Sequence, residues 1–118
     1  MLLCYDDEAA WELAGKDAMD QAMQEAIRLT HELNAKGQYL MAAPLQPGAM
    51  ATSVQVRGTK RLITDGPFAE TAEVLGGFYL IDVESEQEAL AIAARHPGAR
   101  VGTVEVRPVM ELTGLPEH

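Results

Sequence analysis

The segment GGFYLIDV, residues 76–83, constrains the fold more than any other stretch of the chain. Read as an extended strand, it puts Phe78, Leu80 and Asp82 on one face and Tyr79, Ile81 and Val83 on the other. Both faces are largely apolar. One must meet helices, and the other must meet something equally apolar. A face as apolar as Tyr79, Ile81 and Val83 is not left to water. A second copy of the chain is expected to cover it, so the expected state is a homodimer.

The rest of the chain supplies neighbours for this strand. Met1 to Tyr5 is a short apolar first strand, and QYLMAAPL is another, closed by Pro44 and QPGA. ATSVQVR and KRLITD pair as a hairpin around Gly58 and Thr59. VGTVEVRPV is the last strand, with Pro108 at its edge. A long helix is predicted from Asp17 to Lys36. Met19, Ala22, Met23, Ala26, Ile27, Thr30 and Leu33 recur at helical spacing, Asp17 can cap the start and Gly37 ends it. Ser85 and Glu88 have capping-box spacing at the start of a second helix. Ala89, Ile92, Ala93 and His96 follow on one face, and Pro97–Gly98 stop it. DDEAAWELAG is a short helix or lid carrying Trp11, AETAEVL is one helical turn, and the tail MELTGLPEH is mobile or draped over a neighbour.

This order predicts an α+β fold: a ferredoxin-like βαββαβ core with extra strand structure and two helices on one sheet face. The 118 residues suit a single domain, residues 1–118. Apolar residues make up 47% of the chain, which argues against disorder. No window is long and apolar enough to span a membrane, and no basic leader precedes an apolar run, so the expected compartment is the cytoplasm. Nine basic residues against eighteen acidic ones give a net charge of -9, and no nucleic-acid partner is expected. Cys4, the single cysteine, sits in an apolar run with no base beside it and reads as a buried, inert thiol.

The candidate chemistry clusters in TDGPFAETAEVL, residues 64–75, just before the central strand. Gly66 relieves the turn and Pro67 breaks the ladder. Asp65 is the candidate catalytic group. Its carboxylate either caps its own turn or faces a cleft as a proton acceptor, with Glu70 or Glu73 as like-charged neighbours that raise its pKa. The candidate substrate-binding residues are Phe68, Glu70, Tyr79 and Arg107. Phe68 anchors the loop or meets a ligand. The Tyr79 hydroxyl is either a buried structural group or interface contact, or it binds a ligand oxygen. Arg107 either joins an edge salt bridge or grips a carboxylate in a two-pronged bond. His31, His96 and His118 fit no metal spacing. The glycine pairs lack the fingerprint and the lysine of phosphate loops. No metal and no cofactor is expected.

The motifs TDGPFAET (64–71), LGGFYLIDV (75–83) and EVRPV (105–109), with Cys4-Tyr5 and Trp11 near the start, closely resemble the YCII-related family, in its DGPF branch. The resemblance runs over nearly the whole chain. It implies a dimeric α/β barrel in which two ferredoxin-like subunits pack sheet against sheet. Broader relatives resemble small enzymes acting on ring compounds. Several carry a first-helix histidine that pairs with the loop aspartate. That histidine is expected near Met23 or Ala26 here, and neither residue can do its job; His31 lies further along. Branch members also tend to be encoded beside alternative sigma factors. Two functions follow as expectations. One is a small cofactor-independent isomerase or lyase acting by proton transfer on a small organic molecule. The other is a non-catalytic ligand-binding or accessory protein linked to sigma-factor signalling.

Overall fold

The central strand of the sequence is an inner strand of the molecule. The computed structural model describes residues 1–116. Its main sheet is built from β1 (Leu2–Asp6), β2 (Tyr39–Pro44), β5 (Val74–Ile81) and β6 (Thr103–Val106), in the order β2-β5-β1-β6. Every neighbouring pair is antiparallel. Strands β3 (Thr52–Arg57) and β4 (Lys60–Asp65) form a separate hairpin that shares no ladder with the main sheet. The helices are α1 (Glu8–Ala14), α2 (Lys16–Ala35), α3 (Glu86–Arg95) and α4 (Gly98–Val101). Two interleaved strand–helix–strand units, β1-α2-β2 and β5-α3-β6, make this a ferredoxin-like α+β fold. Among the described residues, no helix is long and apolar enough to cross a membrane.

Local chemistry explains the element ends. Ser85 accepts the Glu88 N–H and starts α3, while the Glu88 carboxylate takes the Glu84 N–H one residue before the cap. At the end of α2, Gly37 N–H bonds to Asn34 O and Gln38 N–H to Leu33 O, the paired closure a left-handed residue permits. Four expectations need correction. The N-cap of α2 is Gly15, and Asp17 lies inside the first turn, where its charge still suits the helix dipole. AETAEVL forms bends rather than a helical turn, because Val74 is already drawn into the β5 ladder opposite Asp6. Pro97 stops α3 and also opens the short α4, since proline suits the start of a helix. The last strand ends at Val106, leaving Arg107 just beyond it.

The core lies between the main sheet and α2 and α3. Leu2, Cys4 and Tyr79 from the sheet meet Leu29 and Leu33 of α2 and Ile92 and Ala93 of α3. Each fully buried leucine contributes about 2 kcal/mol by removal from water. Ile81 and Val83 pack against the same cluster. Tyr79, Ile81 and Val83 therefore face the helices, and the expectation that they form the open face is reversed. Alternation sorts a strand into two faces without saying which one the helices take. Here β1 shows the choice: Leu2 is opposite Tyr79, both are buried, and the Tyr79 hydroxyl donates to Ala26 O of α2 at 3.3 Å. The open face carries Phe78 and Leu80, with Leu3 and Ala43 in register with Phe78 and Met41 with Leu80.

On α2 the expected apolar stripe splits. Leu29 and Leu33 are buried, while Met19, Met23 and Ile27 remain about half exposed. The hairpin is exposed along nearly its whole length. The chain has a radius of gyration of 16.3 Å, against about 13.5 Å for a compact domain of this length.

Candidate functional site

Three segments meet at the end of the sheet where β1 finishes and β5 begins. Leu45 N–H donates to Gly76 O at 2.8 Å and ties residues 45–51 to β5. Gly66 N–H donates to Ala51 O at 2.6 Å, and Ser53 Oγ to Gly66 O at 2.8 Å, tying the DGPF loop to the same segment. Between them runs an open groove of about 580 Å³. Phe68, Leu75, Met50 and Tyr5 give it apolar walls, and among the described residues Glu73 is the one charged residue that lines it. A second, smaller cleft of about 370 Å³ lies between α2 and the α3–α4 region. Its charges are largely spent on one another: Arg100 grips Glu25 at 2.6 Å and Arg95 bonds Glu32.

The loop that shapes the groove depends on Gly66, whose φ is +94°. A side chain there meets no atom within 4 Å, so its cost is conformational rather than steric crowding from neighbours. Gly66→Val is expected to lose about 1–2 kcal/mol of stability through that backbone strain. Unchanged thermal unfolding of the variant counts against it.

Close enough to Glu73 to feel its charge, though not itself lining the groove, is Asp6, the last residue of β1. The glycines across from it make the space: a Cβ on Gly76 would fall 1.8 Å from Asp6 Oδ2, and one on Gly102 would lie 3.4 Å from Glu73 Oε1. Burial holds the Asp6 pKa above the ordinary carboxylate value, the Trp11 indole opposes this by hydrogen bonding, and the charges of Glu8 and Glu73 add to the rise. An acid whose folded pKa is raised binds more protons folded than unfolded between its ordinary 3.8 and the raised value. Stability therefore falls as pH climbs through that window. Asp6→Asn cannot ionise, so its Tm is expected to exceed that of the parent protein at neutral pH, with the advantage gone below pH 3.8. Melts across the acidic range check this; a Tm difference independent of pH assigns the effect to packing.

A second polar group of buried side chains lies under the helices. Gly98 N–H donates to His96 Nδ1 at 2.9 Å, which leaves the imidazole proton on Nε2, 4.0 Å from Cys4 Sγ. Burial lowers the His96 pKa against the pull of Glu25, with Arg100 adding to the fall. Burial and the Asp6 charge push the Cys4 thiol up to about 11, so it is not a ready nucleophile at neutral pH. Tyr79 packs edge-on against His96, with ring centroids 5.3 Å apart. Burial pushes its phenol up to about 12. Asp6 stands next to this group: a Cβ on Gly98 would lie 2.9 Å from His96 Nδ1 and 4.0 Å from Asp6 Oδ1.

The structure separates the residues singled out from sequence. Phe68 lines the groove and is 83% exposed. Asp65 ends β4 opposite Thr52 and is exposed, and its carboxylate makes no hydrogen bond among the described residues. Glu70 is exposed on the same loop and does not line the groove. Tyr79 faces the helices. Arg107 lies at the other end of β1, where its N–H donates to Met1 O, and its guanidinium stands 2.6 Å from Glu105 Oε2. His31 is exposed on α2, and His118 lies outside the described residues. Sequence reading did not single out Asp6, and it placed Glu73 only as a neighbour of Asp65. The available signal was a carboxylate ending an apolar strand, with a Gly-Gly pair in the strand beside it.

Comparison with known proteins agrees with this architecture. The family described as the YCII-related domain matches residues 1–113. An uncharacterized protein of Rhizobium meliloti (strain 1021) is 34% identical over 110 residues, which is 92% of this chain and 89% of that protein. On the extent of that match, with an antiparallel ferredoxin-like sheet beneath it, the chain belongs to the YCII-related family.

Proposed function

We propose that the protein is a small cofactor-independent enzyme, an isomerase or lyase that moves a proton on a small organic molecule held in the groove. The observation that supports it is Asp6: a half-buried carboxyl group, shifted toward its protonated form and near enough to Glu73, the one acid among the described residues that line the groove, to feel its charge. A carboxyl group shifted in that direction is closer to the balance of proton holding and release that general acid–base catalysis uses. In this reading Glu73 meets the ligand and Asp6, coupled to it by charge, holds or takes the proton. Phe68 packs on the ligand body. Asp65, three residues before Phe68, adds a carboxylate at the rim.

The enzyme works as a homodimer with its subunits packed sheet against sheet. The support is the open face of Leu3, Phe78 and Leu80, which the chain's own helices do not cover.

The test is deuterium incorporation from D2O into a panel of enolisable small molecules, followed by NMR. Exchange above the buffer rate is expected, with a loss of about a hundredfold or more in folded Asp6→Asn and Glu73→Gln. No exchange across the panel, or exchange indifferent to both changes, overturns the reading. A non-catalytic ligand-binding or accessory role is the second reading, favoured by a groove that is open rather than enclosed. Ligand binding with no exchange selects it.

A further inference from the structure

The charge of the groove restricts what enters it. Glu73 lines it, and among the described residues no lysine, arginine or histidine does. Glu8 stands alongside, with its Oε2 accepting the Gly48 N–H at 3.0 Å, and both Glu8 and Glu73 lie near enough to Asp6 to act on it by charge. Three of the nine basic residues gather instead in the cleft beside α2. A carboxylate or phosphate ligand would meet like charge here and find no cation to pair with.

The aromatic residues point the same way. Phe68 is a large apolar side chain that folding leaves exposed, and it shares the groove with Tyr5. The faces of such rings attract cations, and their area suits an apolar body. The groove's volume lies within the range of small-molecule sites, about 300–1,000 Å³.

We infer that the groove takes an organic cation: a small amine whose ammonium group meets Glu73 and whose apolar body lies along Phe68, Leu75 and Met50. This rests on the groove being the ligand site, as proposed above, and is independent of turnover.

The test uses three probes of one shape, benzylammonium, benzyl alcohol and benzoate, titrated into the full chain and followed by amide chemical shifts. Benzylammonium is expected to bind at least about tenfold tighter than the other two and to shift Phe68, Glu73 and Leu75. Its binding weakens as salt rises. Glu73→Gln is expected to weaken benzylammonium about tenfold and leave benzyl alcohol unchanged. Phe68→Ala, a change at an exposed side chain, is expected to weaken it severalfold and keeps the question open to test if the Gln variant misfolds. Equal binding of benzoate, or benzylammonium binding unchanged in both variants, overturns the inference. The two proposals fail separately. Amine binding without deuterium exchange removes the enzyme and keeps the cation site. Exchange on neutral carbonyl compounds that benzylammonium does not inhibit removes the cation site and keeps the enzyme.

Discussion

Gly102→Ala is expected to lose about 3 kcal/mol of stability and to lower Tm by on the order of 10 °C. Gly102 follows α4 and leads into β6, whose first residue, Thr103, is paired with Tyr5 of β1. A Cβ at this position would sit 2.1 Å from Tyr5 O and 3.2 Å from Tyr5 C. Both are backbone atoms inside a ladder, so no side chain can rotate away. Relief requires β6 to slide off β1 or β1 to bend. The first breaks hydrogen bonds of an edge strand of four residues, and the second disturbs Leu2 and Cys4 in the core. The same movement displaces Glu73 and Asp6, so ligand binding in the groove is expected to fall with stability. Equilibrium unfolding of the alanine variant measures the first effect; a Tm within about 2 °C of the parent shows that the close approach is absorbed without cost.

Leu80→Arg is expected to turn a dimer into a folded monomer. Leu80 lies on the sheet face away from the helices, opposite Met41. In the subunit alone it is only partly buried. An arginine stem can lie along that face while the guanidinium reaches water, so the subunit keeps its fold. Between two sheets packed face to face, the same charge has neither water nor partner. An unpaired buried charge costs about 3 kcal/mol or more, enough to weaken association by more than a hundredfold. Light scattering at micromolar concentration is expected to give twice the 12.8 kDa chain mass for the parent and the single mass for the variant. A parent that runs at the mass of one chain removes the dimer, and with it the stated reason for so apolar an open face.

The elements were legible because their signals are local. The Ser85 cap, the Gly37 closure and the two-residue turn at Gly58 and Thr59 each depend on contacts within a few residues, and each appears where its sequence places it. The alternation of Phe78 and Leu80 against Tyr79 and Ile81 is equally local. The candidate site was less legible. Phe68 announced itself beside Pro67 in a turn. Asp6 and Glu73, far apart in sequence, gave no such sign, because what sets them apart is the space left by glycines on other elements.

By itself the sequence determined the order of the strands and the two long helices, the two faces of the central strand, the burial of Cys4 and the glycine turn at Gly66, since each follows from backbone geometry or hydrophobic periodicity. Tertiary packing settled the rest. The helices took the Tyr79 face because Leu2 and Cys4 turn the same way and α2 offers the Ala26 carbonyl to the tyrosine hydroxyl. Gly76 and Gly102 proved to be points of close approach, a property of the partner atoms across the sheet that no local pattern encodes. The shift of Asp6 has the same origin: its pKa rises because folding removes water and brings Glu8 and Glu73 near, and neither desolvation nor proximity exists until the chain has closed.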